Sequence, residues 1–136
     1  YGPRQDFGDS GFVVSVFLKR ALEGRPIEIF GDGQQTRDFV YVDDNVRLTL
    51  KAFLDDKTNG RPMNIGSGKS IRIIDLAKEI KKVIPSAKLV FKPARKRGEI
   101  KYRTPDVGFM KRTLKDVPGV QLSEGLKRTA EYLKKG

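Results

Sequence analysis

The sequence contains neither cysteine nor histidine. Without cysteine there is no disulfide, no thiolate nucleophile and no thiolate metal site. Without histidine the commonest general base and the commonest metal ligand are both gone. Carboxylates alone can hold a hard metal, but no calcium-loop spacing occurs, so no metal site is expected. No apolar run approaches the roughly 20 residues needed to span a bilayer. No secretory pattern opens the chain either, so no membrane partner and a cytoplasmic location are expected. The first residue is Tyr1 rather than methionine, which fits a fragment or a processed product.

What is present describes one compact domain. The 136 residues are 38% hydrophobic and 33% charged, enough for a core under a solvated surface. Lys plus Arg number 28 against 17 Asp plus Glu, giving +11. Such a charge concentrates anions near the surface. The lysines are scattered along helical stretches, where they solvate an outer face, and only Arg95-Lys96-Arg97 clusters outside a helix. No zinc-finger spacing, basic zipper region or aromatic RNA-binding signature is present, so nucleic acid is not an expected partner. A small phosphorylated ligand fits the charge better.

Hydrophobic spacing gives an alternating α/β order with no internal domain boundary. Val13, Val14, Phe17, Leu18 and Ala21 recur at helical spacing, with Asp9 or Ser10 placed to cap and Gly24 and Pro26 to stop. Ile27–Phe30 reads as a strand, and Gly31 and Gly33 flank a turn. Asp38–Val42 reads as a second strand, nearly all apolar, as suits a strand covered on both faces. Asp43 and Asp44 begin a helix whose apolar stripe is Val46, Leu50, Phe53 and Leu54. Residues 62–65 read as a third strand, and Ile73 to Ile84 as the clearest amphipathic helix. Residues 89–91 form a fourth strand before the basic loop 92–98. A short helix from Asp106 buries Phe109, Met110 and Leu114, and a last one buries Leu126, Ala130 and Leu133.

Two glycine turns invite phosphate-binding readings that their spacing refuses. Gly66-Ser67-Gly68-Lys69-Ser70 lies between strand and helix, but the glycine that would open a phosphate cradle is replaced by Met63. Gly31-x-Gly33 lacks a third glycine and precedes a strand, so it is no dinucleotide site. Arg37 stands where loop becomes strand, and a guanidinium there can grip phosphate bidentately. The alternative is an ion pair with Asp32, Asp38 or Asp43. Arg95 and Arg97 can close a diphosphate clamp from the other side, or merely solvate a loop. Glu99 can accept from ligand hydroxyls or orient an arginine, and Phe30 can supply an apolar edge or simply be core. No acid–base set emerges, because none of Tyr1, Tyr41, Tyr102 and Tyr132 has a lysine four residues later.

Three ordered motifs then carry a family resemblance: Tyr1-Gly2-Pro3-Arg4-Gln5, Gly31 through Asp44, and Asn64-Ile65-Gly66-Ser67-Gly68. They resemble the C-terminal portion of the nucleotide-sugar epimerases and dehydratases of the extended short-chain dehydrogenase/reductase family, the UDP-glucose 4-epimerase group above all. The resemblance implies that residues 1–136 are a small α/β nucleotide-sugar-binding part. Its strands and helices would return to a missing N-terminal Rossmann half, with self-association through the uncovered surface. It implies no catalytic residue and no bound cofactor in this chain alone, NAD belonging to the intact enzyme. By carry-over, Arg37 contacts the diphosphate of a UDP-sugar and an arginine of Arg95 and Arg97 completes the clamp. Val13 borders the sugar and diphosphate, while Ile29 and Phe30 lie near the base. The sequence departs from the family pattern at Lys96, which stands at the strict arginine position. The expected function is a substrate-binding fragment of UDP-glucose 4-epimerase, inactive alone. The alternatives are a fragment of a 4,6-dehydratase and a non-catalytic binding or assembly module.

Overall fold

The computed structural model describes residues 1–7, 11–94 and 100–135. Asp9 and Ser10, expected to cap the first helix, lie outside those residues. The helix α1 (Val13–Leu22) buries Val14, Phe17, Leu18 and Ala21, the face its spacing predicts. It ends at Glu23, and Gly24 follows at φ +69°. The strand β1 (Ile27–Phe30) then alternates buried Ile27 and Ile29 with half-buried Glu28 and Phe30.

The next elements are shorter and differently placed than the sequence predicts. The strand β2 (Thr36–Arg37) has only two residues, and α2 (Val42–Phe53) follows after an extended stretch. Residues 38–41 are not a strand: their apolar side chains pack, but the backbone meets Tyr1 rather than a ladder. The Tyr1 nitrogen donates to Val40 O at 2.8 Å, and Val42 N donates to Tyr1 O at 2.9 Å. Residues 62–65 are not a strand either. Pro62 has no N–H to give, and the Asn64 side chain donates to Asp106 O. The strand in this region is β3 (Ile71–Arg72), which leads directly into α3 (Ile73–Val83). After it come β4 (Leu89–Lys92), β5 (Tyr102–Arg103), α4 (Gly108–Leu114) and α5 (Leu122–Leu133).

Among the described residues the strands form two small sheets. β1 pairs in parallel with β4, from Ile27 against Leu89 to Phe30 against Lys92. β2 is the middle of the second sheet, antiparallel to β3 and parallel to β5. The turn joining the sheets is tight. Gly33 sits at φ +70°, and a Cβ there would meet Ile29 and Ile74 at 3.0 Å. The main core packs α1, α3 and α5 on β1 through Leu18, Ile27, Ile29, Leu76, Ile80 and Leu126. A second core joins α2 to α4 through Leu48, Val107, Met110 and Leu114.

The orientation of α2 reverses the expected one. Leu50 is 57% and Phe53 81% exposed, and Val46 and Leu54 are exposed with them, while Leu48 is wholly buried. Asp44 turns inward beside Leu48, because its carboxylate accepts from Gly119 N and Val120 N. Phe109, expected in the core, is half-buried beneath the Arg61 guanidinium at 4.1 Å.

The expectation of a half-fold awaiting another half is corrected by this arrangement. Among the described residues each strand pairs within the chain, and both cores close within it. No described helix is long and apolar enough to cross a membrane.

Candidate functional site

Two clefts meet at β2. The first, about 690 Å³, opens between the N-terminal segment, α1 and β1, and Gln5, Val13, Phe30 and Gln35 are among its walls. The second, about 650 Å³, is lined by Ile65, Gly66, Tyr102 and Thr104 among others. Arg37, Asp38, Val40 and Arg103 line both. Val13, Phe30 and Arg37, singled out from the sequence, are among the residues that line the first cleft. Ile29 is separate: its side chain is wholly buried in the main core. Arg95, Arg97 and Glu99 lie outside the described residues.

Arg37 is held by backbone. Its Nη1 donates to Thr36 O at 2.7 Å and to Ile100 O at 2.8 Å. The ion pair that competed as an explanation does not form among the described residues. Asp32 accepts from Gln34 N, and Asp38 accepts from Ser67 Oγ and Gly68 N. A cation half-buried beside a cleft and braced by carbonyls presents its charge to whatever fills that cleft. Further along the wall, Arg20 pairs with Glu28 at 2.8 Å and also donates to Pro26 O. Gln5 Oε1, also on this cleft, is buried with no hydrogen-bond partner among the described residues.

The second glycine turn is occupied by protein. Asp38 caps it, accepting from Gly68 N at 2.8 Å, and Ser67 Oγ accepts from Lys69 N. Gly68 N–H therefore serves a carboxylate and Lys69 N–H a hydroxyl of the chain itself, which agrees with a structural turn. The first glycine turn runs from β1 to β2 with no helix after it, so neither turn has the geometry of a dinucleotide fingerprint.

Tyr1 and Tyr41 are packed into the fold. The Tyr1 phenol donates to Leu122 O at 3.3 Å and packs edge-on against Phe39 and Tyr41. Burial above all, then Tyr41 and Asp44, pushes its pKa far above the ordinary value. Burial and Asp43 raise that of Tyr41 as well, against the smaller opposing effect of Arg128. A phenol so shifted keeps its proton at neutral pH and is a poor base. Among the described residues no three acidic side chains converge as a metal site.

A family model described as the NAD dependent epimerase/dehydratase family matches residues 1–66. The UDP-N-acetyl-alpha-D-glucosaminuronate decarboxylase of Bacillus cytotoxicus is 38% identical over 140 residues, covering 98% of this chain and 43% of that protein. The UDP-glucose 4-epimerase of Thermotoga maritima, solved with UDP-glucose, superposes with a TM-score of 0.90 at 40% identity, over 99% of this chain and 43% of that one. The UDP-glucuronic acid 4-epimerase of Bacillus cereus, solved with UDP-glucuronic acid and NAD, gives 0.87 at 36% identity, over 99% of this chain and 42% of that one. The chain therefore spans less than half the length of these relatives.

The names of these relatives agree with the expected vocabulary of nucleotide-sugar epimerase, isomerase, NAD and carbohydrate metabolism, and the matches correct several other expectations. Similarity runs over 98–99% of the chain, so the narrower expectation of a C-terminal fragment is corrected to a match along the chain as a whole. No missing Rossmann half is inferred from where the chain starts. The narrow assignment to UDP-glucose 4-epimerase gives way too, because a decarboxylase and a uronate epimerase match about as well. Inactivity of the chain alone is withdrawn, since the enzymes it matches align with almost all of it. The expectation that NAD stays outside this chain is withdrawn on the same ground: a structure holding NAD aligns with 99% of it.

Proposed function

We propose that this chain is a member of the NAD-dependent epimerase/dehydratase family and binds the diphosphate of a UDP-sugar at the clefts beside β2. The observation that carries this reading is Arg37, a half-buried guanidinium braced by two carbonyls and free of carboxylates among the described residues. Val13 and Phe30 give the larger cleft an apolar wall for base and sugar. Ile29 acts indirectly, by anchoring β1 in the core behind Phe30. Arg95 and Arg97 belong to the same proposal as further cations for the diphosphate, and Glu99 as an acceptor for sugar hydroxyls.

The reaction class proposed is the NAD-dependent modification of a UDP-sugar. NAD, when bound, supplies the hydride acceptor. Neither glycine turn of this chain has the dinucleotide geometry, so none of its residues is assigned to the cofactor and no step is routed through it. What the chain's own residues do is hold the substrate: Arg37 fixes the diphosphate, and the apolar wall excludes water from the ring it borders. A cytoplasmic location is part of the same proposal, checked by fractionation.

Calorimetric titration of UDP into the chain and into Arg37→Ala tests the reading. The parent is expected to bind UDP, and the variant to lose on the order of 2–5 kcal/mol, as when a desolvated charged contact is truncated. Equal affinity in both removes the assignment. A large drop in melting temperature before ligand is added makes Arg37 structural instead. Turnover is assayed alongside, with NAD and a panel of UDP-sugars.

A further inference from the structure

We propose that Arg103 is the second arm of the anion site, facing Arg37 across β2 and β5 and gripping the phosphate oxygens of the nucleotide diphosphate. This rests on the nucleotide-sugar reading above and adds a residue to its site. β2 and β5 run parallel, with Arg37 directly opposite Arg103. Paired residues of neighbouring strands project to the same face, about 4.8 Å apart along the hydrogen-bonding direction. Arg37 and Arg103 are thus ladder partners, and each lines both clefts.

Like charges directly opposite on a ladder destabilise it. No acidic partner among the described residues relieves that repulsion. Among the described residues no carboxylate pairs with Arg103 or with Arg37. Asp38, which lines both clefts, is already bonded to Ser67 and Gly68. An anion placed between the two arginines would convert the repulsion into two charge-assisted contacts. Planar guanidinium forks match phosphate oxygens bidentately. Two adjacent phosphates suit two adjacent forks: Arg37, fixed by carbonyls, is the preorganised arm, and the exposed Arg103 is the adaptable one. The competing reading is that Arg103 only guards an edge strand with charge. That reading needs no partner across the ladder and predicts no ligand dependence.

The test is titration of uridine, UDP, UDP-glucose and UDP-glucuronate into the full chain, into Arg103→Ala and into Arg103→Lys, with melts of each. The expected result is at least a tenfold weakening of UDP and UDP-glucose alike in Arg103→Ala, with uridine unaffected. Arg103→Lys should recover only part of the loss. Without ligand, Arg103→Ala should melt at or above the parent, because a repulsion has been removed, and its stabilisation by UDP should shrink. Equal UDP affinity in parent and variant overturns the proposal while leaving the nucleotide-sugar reading intact. A loss confined to UDP-glucuronate overturns it in favour of a sugar carboxylate at Arg103. If the parent itself does not bind UDP, the nucleotide-sugar reading falls, and inorganic pyrophosphate becomes the probe. Arg103-dependent pyrophosphate binding then still supports the paired site, and its absence overturns it.

Discussion

Asp44 shows how far a single side chain can depend on distant chain. It is buried, and it accepts from Arg47, Gly119 N and Val120 N. Burial works against its charge, but the bonds from Arg47, Val120 and Gly119 outweigh it and hold the carboxyl below its ordinary value. Asp44→Ala would strand two N–H groups and part of a cation, at a cost on the order of 2–4 kcal/mol. Denaturant unfolding at pH 7 measures it. The sign of the pH dependence follows from the lowered value: the stabilisation is present above about pH 4, where an unfolded aspartate is ionised, and fades as pH falls further. The gap between parent and Asp44→Ala should therefore narrow at pH 3. From sequence, Asp44 is legible as an acidic residue at a helix start, and it is one. Its partners 75 and 76 positions away are not legible, since no local pattern encodes them. Arg37 and Arg103 divide in the same way. The first stands in a recognisable motif, while the second gains meaning only from a pairing across 66 positions of chain, visible once Arg37 and Arg103 are found opposite one another.

At the scale of elements, periodicity finds helices more surely than it finds which face they bury. Among the described residues the helices lie where spacing puts them, yet α2 turns its apolar stripe outward and buries Asp44 and Leu48. Periodicity reports an amphipathic helix, and the winning face is set by what packs beside it, here Met110 and Leu114 of α4. Leu48→Ala should then cost about 2–5 kcal/mol. Phe53→Ala, by contrast, should stay within about 0.5 kcal/mol, as surface changes usually do. Parallel chemical denaturation of the two variants settles the orientation, and the reverse ranking would restore the stripe. The helix α5 carries a second contradiction of local rules. Gly125 lies within it, where alanine is ordinarily better by about 1 kcal/mol. A Cβ there would collide with the Tyr1 ring and meet Tyr41 at 2.9 Å. Gly125→Ala should lower the melting temperature despite its better helix propensity. The strands were the least legible elements, because runs as short as Thr36–Arg37 and Ile71–Arg72 show no alternation at all.

Across the whole molecule, the excess of 28 basic over 17 acidic side chains sets the long-range field. UDP should bind faster and more tightly at low ionic strength. The effect should weaken roughly several-fold as added salt shortens the Debye length below about 10 Å. Titrations at two salt concentrations check it, and salt-independent affinity would leave only local contacts. The general class of fold is legible at this scale, from alternating helix and strand patterns. The division into two sheets is not, because it depends on a turn whose Gly33 must lie against Ile29 and Ile74. The two cores on either side of that turn differ greatly in extent: one packs α1, α3 and α5 on β1, while the other rests on Leu48, Val107, Met110 and Leu114. Such unequal halves need not open together. Amide protons in the middle of α4 should exchange with deuterated water through brief local openings, well before those of α3, which await disruption of the larger core. The clefts, bordered by both parts, would then have one wall that breathes and one that stays still.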